Sequence, residues 1–407
     1  MNIFKNKLIC IFGLGYIGLP TASILGDLGF SVVGIDLDDE IIASINKSQP
    51  HIVEQDLEIV LGSAIKSGNF VAQKETEKCD VYMICVPTPL IFDGAAKKPD
   101  ISSVIDAANK ISKHLKAGDL VILESTSPIG TTEKIKEILM QSGVAESDFA
   151  LAYCPERVLP GRIIDELIAN DRIVGGINDK SADIAANFYS SFVKGKIHKT
   201  SAKTAEMCKL AENSFRDVNL AFANEISMLC DNESIDVWEL VNLANMHPRV
   251  NILKPGAGVG GHCIAVDPWF LISSDIHSSK LLASARYVND RKVDWVIEKI
   301  LANIDNSRPK SMVKIACLGL SFKADIDDVR ESPALKIFNY LNKLGYFIMC
   351  VEPNIEGFSN SVQLDEAIET ADVIAVLVPH KEFLITSVQE RLRNADALDF
   401  CGALIGY

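Results

Sequence analysis

Short apolar runs alternate with amphipathic stretches along the first half of the chain. The runs at 8–12, 31–35, 81–86, 120–124 and 149–153 are nearly all apolar and too short for helices. Strands buried on both faces of a parallel sheet read this way. Between them, 19–28, 101–115 and 132–142 carry apolar residues at helical spacing. That alternation predicts βαβ units and a doubly wound α/β domain over 1–200. The texture then changes, because 202–232, 235–245 and 278–305 read as helices with scarcely a strand among them. A central helical block over 201–305 is expected, broken by a glycine-rich loop at 255–262. After the polar turn cluster Asn306-Ser307-Arg308-Pro309, strand-like runs return at 313–318, 347–351 and 373–378, predicting a second α/β domain over 306–407.

The two ends echo one another: strand, Gly13-Leu14-Gly15, helix and a strand ending at Asp36, against strand, Gly319-Leu320, helix and a strand ending at Glu352. The expected fold class is therefore α/β, with two Rossmann-like doubly wound domains joined by a central helical segment.

Composition narrows the function classes. The 407 residues include 40 Lys and Arg against 54 Asp and Glu, a formal charge of −14. This argues against a general nucleic-acid or anionic-membrane binder and leaves room for a local phosphate site. No apolar run approaches the ~20 residues of a membrane span, and the first run enters the glycine turn with no cleavage-site pattern. Ten cysteines are scattered without a C-x-x-C pair, as expected for reduced thiols in a cytoplasmic protein.

Gly13-Leu14-Gly15-Tyr16-Ile17-Gly18 follows a predicted strand and opens a predicted helix. In that context the first glycine permits the turn, the second lets backbone approach a pyrophosphate, and the third lets helix and strand pack. Asp36, 18 residues beyond the last glycine, can accept from an adenine ribose and would repel a 2′-phosphate, which favours NAD over NADP. Pro87-Thr88 and Ser125-Thr126 fall at later strand ends of the same sheet, beside the crevice where the reactive ring of the cofactor belongs. Thr88 reads equally well as simple turn chemistry.

The most unusual stretch is Gly256-Ala257-Gly258-Val259-Gly260-Gly261-His262-Cys263, with Asp267 and Pro268 following. Closely spaced glycines expose backbone N–H groups to an anion or a sugar. If a helix starts after Cys263, Asp267 at i+4 shares its face, Pro268 fits the first turn, and the helix amino terminus favours a thiolate. No second Cys or His stands at ligand spacing from His262, so no metal is expected. A nucleophilic cysteine beside a nicotinamide cofactor suggests oxidation past a carbonyl through a thioester. Lys209 and Asn213, i and i+4 on a predicted helix, could supply donors to oxyanions; alone, such a pair is more often a solvated face.

Over nearly its full length the chain resembles the UDP-glucose/GDP-mannose dehydrogenase family. The resemblance lies in Gly13–Gly18, Cys85-Val86-Pro87-Thr88-Pro89, Ser125-Thr126, Pro155-Glu156, Lys209 with Asn213, Gly260-Gly261-His262-Cys263 with Asp267, and Gly319-Leu320-Ser321-Phe322-Lys323 with Asp328, Arg330, Ser332 and Pro333. It implies a four-electron, NAD-dependent oxidation of a nucleotide-sugar 6-alcohol to a uronic acid. Cys263 would be the nucleophile, Lys209 and Asn213 the oxyanion donors, and Asp267 the helper of cysteine and water. Thr126 and Glu156 would orient or activate water. The resemblance further implies that Arg249 reaches a neighbouring subunit's substrate in a homodimer built on the central helices. Phe322, Lys323 and Arg330 would meet the nucleotide, and Gly258, Gly260, Gly261 and His262 would line the substrate.

Glu156-Arg157-Val158-Leu159-Pro160 departs from the UDP-glucose branch, which carries an acidic residue where Pro160 stands, and is similar to the UDP-N-acetylhexosamine branch. A UDP-N-acetylhexosamine substrate touching Arg157 and Val158, and a role in bacterial envelope polysaccharide synthesis, are implied. The orientation at C2 of the sugar stays open. A two-electron dehydrogenase with a structural Cys263, and a non-catalytic nucleotide-sugar sensor, are the competing readings.

Overall fold

The computed structural model describes residues 4–93, 96–159, 161–305, 307–355 and 357–405, so Pro160 and Asn306 lie outside the described residues. The chain packs as two units, Met1–Ala211 and Glu212–Tyr407. The first begins with β1 (Leu8–Phe12), α1 (Gly18–Asp27), β2 (Ser31–Ile35), α2 (Asp39–Asn46), α3 (Leu57–Lys66) and β3 (Phe70–Gln73). It continues with β4 (Val81–Ile84), a hairpin of β5 (Leu90–Asp93) and β6 (Ala96–Pro99), α4 (Ser102–Ser112), β7 (Leu120–Leu123), α5 (Thr131–Met140) and β8 (Ala150–Tyr153). α6 (Ile163–Ala169), β9 (Arg172–Gly176), α7 (Asp179–Tyr189), β10 (Ile197–Ser201) and the start of α8 (Ala202–Asn232) complete it.

Eight strands form one sheet in the order β10-β9-β8-β7-β4-β1-β2-β3. Neighbours are parallel except β8 and β9. The strand order reverses between β1 and β4, the switch point where a doubly wound sheet opens its crevice. Alternate residues of each strand feed opposite cores. Ile9, Ile11, Val32, Met83 and Ile122 pack on one face, and Cys10, Phe12, Val33, Tyr82 and Val121 on the other. This two-sided burial is why the runs read as continuously apolar. β10 is the edge strand and mostly exposed, so its sequence IHKTS carries no such signal.

The second unit holds the remainder of α8, then α9 (Val237–Ala244), α10 (Pro268–Ser274) and α11 (Lys280–Ala302). It ends with β11 (Lys314–Leu318), α12 (Pro333–Lys343), β12 (Phe347–Val351), α13 (Leu364–Thr370), β13 (Val373–Val376), α14 (Thr386–Asn394) and β14 (Leu398–Asp399). Its parallel sheet has the order β12-β11-β13-β14, with its own switch point between β11 and β13. α12 starts where the Ser332 side chain accepts from Leu335 N–H and Pro333 occupies the first turn. Among the described residues, no helix is long and apolar enough to cross a membrane.

The β1–α1 turn is tight enough to test. A Cβ on Gly18 would sit 1.8 Å from the Gly13 carbonyl oxygen. Gly18→Ala should therefore lose about 1–3 kcal/mol, as overpacking does. A calorimetric melt should show the lower midpoint, and an unchanged midpoint would contradict the close approach.

Candidate active site

At the end of β1, two of the three glycines hold a turn that a Cβ would obstruct. Gly13 holds φ +85, and a Cβ there would press within 2.9 Å of the Cys85 carbonyl oxygen. Gly15 is the opposite case: it is exposed, and a Cβ on it would meet nothing within 4 Å. That open backbone is what a pyrophosphate needs, so the residues fit a dinucleotide. Tyr16 and Ile17 are half-buried in the turn, with Ile17 the last residue before α1. Asp36, at the end of β2, accepts from Leu14 N–H at 2.9 Å and from Leu37 N–H at 2.7 Å. It thereby braces the glycine turn as well as presenting a carboxylate beside it.

The ends of β4 and β7 are laced together. Thr88 Oγ1 donates to the Thr126 carbonyl at 2.7 Å, and Ser125 Oγ to the Val86 carbonyl at 2.7 Å. Thr88 thus has a structural bond, while Thr126 is half-buried. Pro87 is exposed between them.

Past β8, Lys209 Nζ donates to the Glu156 backbone carbonyl at 2.8 Å, and Val158 N–H donates to Glu156 Oε1. Burial pushes the Glu156 carboxyl up to about 7, although the Lys209 and Arg172 charges pull the other way. A carboxyl so placed changes protonation near neutrality, as an acid–base group must. Arg157 is exposed and lines a cleft of about 460 Å³ with His198, Thr204 and Cys208.

In the second unit, residues 262–267 form successive turns, and regular helix begins only at Pro268, which occupies the first turn. The Asp267 N–H donates to the Cys263 carbonyl at 2.8 Å, so the i, i+4 relation holds although the helix amino terminus lies beyond the cysteine. Asp267 precedes α10 without capping it; its carboxylate accepts instead from Asn213 Nδ2 at 2.5 Å. Cys263 is half-buried and His262 exposed.

The glycines before it fit against the loop after β11. A Cβ on Gly260 would come within 2.8 Å of Phe322 Cβ and of Pro333, and one on Gly261 within 2.9 Å of the Phe322 ring. Gly258, at φ +146, abuts Pro333 and Val293. Lys323 and Arg330 are exposed, and Arg330 pairs with Asp328 at 2.5 Å. Arg249 is exposed in the loop after α9.

Comparison with known proteins decides the family. Family models for UDP-glucose/GDP-mannose dehydrogenases match residues 7–193 as the NAD binding domain, 203–291 as the central domain and 316–404 as the UDP binding domain. The chain belongs to the UDP-glucose/GDP-mannose dehydrogenase family. It is 49% identical to UDP-N-acetyl-D-mannosamine dehydrogenase of Campylobacter jejuni over 405 residues, covering 94% of this chain and 97% of that one. It is also 46% identical to NDP-N-acetyl-D-galactosaminuronic acid dehydrogenase of Ralstonia nicotianae, covering 97% and 96%. The solved UDP-D-ManNAc dehydrogenase of Pyrococcus horikoshii superposes with a TM-score of 0.90 at 38% identity, covering 98% of this chain and 96% of that one. This member of the family is an NAD-dependent oxidoreductase.

Two features escaped the sequence reading. Along α8, Glu206, Lys209, Asn213, Asp217, Asn224 and Ser227 fall on one stripe, and all but the half-buried Asn213 are buried. Each has a partner. Glu206 accepts from Gly130 N–H at 2.6 Å and Thr132 N–H at 2.9 Å, and Asp217 from Arg286 at 2.7 Å. Asn224 accepts from Gly256 N–H at 2.9 Å, and Ser227 from Lys292 at 2.7 Å. Polar residues at helical spacing were legible, but only their partners distinguish a buried seam from a wet face. The second feature is a buried cluster behind Glu156. Glu124 there accepts from Tyr189 Oη at 2.6 Å and Cys85 Sγ at 3.3 Å, with Arg172 5.5 Å from the Tyr189 ring centroid. Burial and the neighbouring Glu124 push the Cys85 thiol well up, which removes it from contention as a nucleophile.

Glu156 should leave a signature in stability. Its carboxyl titrates at about 4.3 in the unfolded chain and at about 7 when folded, so between these values the folded state binds more protons. Stability contributed by the protonated form is full below about 4.3 and is lost as pH rises towards 7. Glu156→Gln should therefore gain relative to wild type across that window in urea midpoints and hold its advantage above it. Parallel pH profiles would refute the raised carboxyl.

Proposed function

We propose that the protein oxidises the C6 alcohol of UDP-N-acetyl-D-mannosamine to the uronate in two two-electron steps, through an aldehyde and a thioester on Cys263. The observation that carries this is the arrangement around Cys263: a half-buried thiol, a buried Asp267 one turn on, and Asn213 bonded to that carboxylate. The sugar is supported by the names and identities of the two UDP-N-acetyl-D-mannosamine dehydrogenases given above. NAD, when bound, supplies the hydride acceptor for both oxidations.

The chain's own residues do the rest. Lys209 and Asn213 stand one turn apart on α8, about 6 Å along its axis, and present N–H donors where oxyanions develop on the alcohol and the tetrahedral adducts. The Cys263 thiolate adds to the aldehyde carbon, and after the second oxidation water displaces it, regenerating the thiol and releasing the carboxylate. Asp267 takes up the thiol proton. Glu156, whose carboxyl burial raises to about 7, accepts through water that Thr126 helps to place, first the alcohol proton and later, after returning it to solvent, the proton of the hydrolytic water. Phe322, Lys323 and Arg330 hold the uridine diphosphate end, and Arg157 and Val158 lie towards the sugar. The product would serve envelope polysaccharide synthesis in the cytoplasm.

The working form is proposed to be a homodimer in which Arg249 reaches the partner's substrate. Supporting this, α8 leaves Phe215, Phe222 and Leu229 exposed at 72%, 51% and 53%, a stripe of seven-residue spacing along the central helix. Phe222→Glu should shift sedimentation to the monomer; a wild type that sediments as a monomer would rule the dimer out.

Turnover tests the chemistry. A panel of UDP-N-acetylmannosamine, UDP-N-acetylglucosamine, UDP-N-acetylgalactosamine and UDP-glucose with NAD should favour the first and yield two NADH per sugar. One NADH with accumulating aldehyde would sink the thioester route. Lys209→Ala should cost about 3 kcal/mol, some hundredfold in kcat, and Cys263→Ala should form no uronate.

A further inference from the structure

His380, after β13, is wholly buried in the second unit, and nothing in the reaction above uses it. Its ring bonds fix the tautomer. The Asp325 backbone N–H donates to Nδ1 at 3.0 Å, so Nδ1 carries no proton and Nε2–H faces Glu352 Oε2 at 3.2 Å. Glu352 ends β12 as Asp36 ends β2, but its carboxylate is consumed internally. Oε2 also accepts Leu320 N–H at 2.6 Å and Ser321 N–H at 3.0 Å, and Oε1 accepts Asn354 N–H at 2.9 Å. A carboxylate so engaged holds a ribose poorly and a loop well.

The loop it holds is 319–333. Ser321 Oγ donates to the Lys323 carbonyl at 2.7 Å, and Ser332 Oγ to the Leu320 carbonyl at 2.7 Å. Two non-glycine residues in it adopt the left-handed region, Asp325 at φ 61 and Glu331 at φ 52. Such conformations persist only where the surroundings enforce them. At Asp325 the enforcement is visible: its N–H is held by His380 Nδ1, and its Oδ1 accepts Lys381 N–H at 3.0 Å. The far side of the same loop receives the glycines of the cysteine loop. Gly261 N–H donates to the Arg330 carbonyl at 3.0 Å, and the Gly260 position is closed by Phe322, Pro333 and the Glu331 carbonyl.

We propose that the His380–Glu352 pair is a positioning device for the nucleophile: by locking loop 319–333 it locks Gly260 and Gly261, and with them Cys263. The proposal rests on Cys263 being the reactive thiol. His380 touches no reacting atom and acts through the loop.

The test uses the full chain with His380→Phe, which removes the ring's bonds to Asp325, Asn354, Glu352 and Ser321, and His380→Asn, whose Oδ1 can still accept the Asp325 N–H. Iodoacetamide alkylation of Cys263, followed by peptide mass, reports the loop without any sugar, alongside kcat and KM on the sugar and the Kd for NAD. In His380→Phe the alkylation rate should change by about threefold or more and kcat fall by roughly tenfold, as for a misplaced reacting group. The NAD Kd should stay within about twofold, because the residues of the dinucleotide cradle belong to the other unit. His380→Asn should recover a substantial part of both losses; a role in stability alone would leave alkylation of the folded protein unmoved.

A folded His380→Phe with wild-type alkylation and kcat overturns the proposal. If that variant does not fold, Phe322→Leu decides, since it spares His380 and loosens the contact with Gly261; unchanged alkylation there overturns the proposal too. Absence of turnover by the wild type on every nucleotide sugar would instead count against the enzymatic reading, leaving the alkylation comparison to judge this one.

Discussion

The buried polar stripe along α8 is the constraint on which the proposed chemistry depends. Most helices bury an apolar stripe, which tolerates sliding; here the positions from Glu206 to Ser227 bury carboxylate, ammonium, amide and hydroxyl groups, each with its own partner. An unpaired polar group in such a setting costs on the order of 1–3 kcal/mol, so any shift of the helix along its axis would incur several penalties together. The proposed oxyanion donors are members of this stripe. Lys209 is held to the Glu156 backbone and Asn213 to Asp267, so the bonds that register the helix also aim the donors.

The two parallel sheets supply the same device with different outcomes. In each, the strand at the switch point ends in a glycine of positive φ, Gly13 at +85 and Gly319 at +84, and the next strand ends in a carboxylate that accepts the N–H of the following leucine. Asp36 remains half-exposed beside the open backbone of Gly15. Glu352 is instead buried under His380, which with the turn N–H groups pulls its carboxyl down to about 2 despite its burial. One copy of the motif is left open for a ligand, and the other is closed into a brace.

The acidic balance of the chain is compatible with both, since what matters is local. Lys209 is one of few buried cations, and Lys323 and Arg330 stand exposed on the loop assigned to the nucleotide. Of the ten thiols, those of β1, β11 and β12 are core side chains of strands buried on both faces. Cys85 is taken up by Glu124, whereas Cys263, half-buried in the turns before α10, is the thiol to which the proposed function gives chemistry.

Much of this was legible without coordinates. Strands buried on two faces are apolar at nearly every position, so the runs at 8–12, 31–35, 81–86, 120–124 and 149–153 could be read from the chain, whereas β9, which opens with the buried Arg172, and the exposed edge strand β10, with its polar IHKTS, give no such sign. Gly13, Gly15, Gly18, Asp36 and the loop around Cys263 declared themselves because each places a glycine or a carboxylate where turn geometry and phosphate chemistry demand it. Glu206, Arg172, Glu124 and His380 did not, because a buried polar residue differs from a solvated one only in its partners, and those partners come from distant stretches of the chain. Spacing along the chain determined which residues could react; three-dimensional pairing alone decided which polar groups are desolvated, and so which carboxyl titrates near neutrality and which glycine turn was closed into a brace.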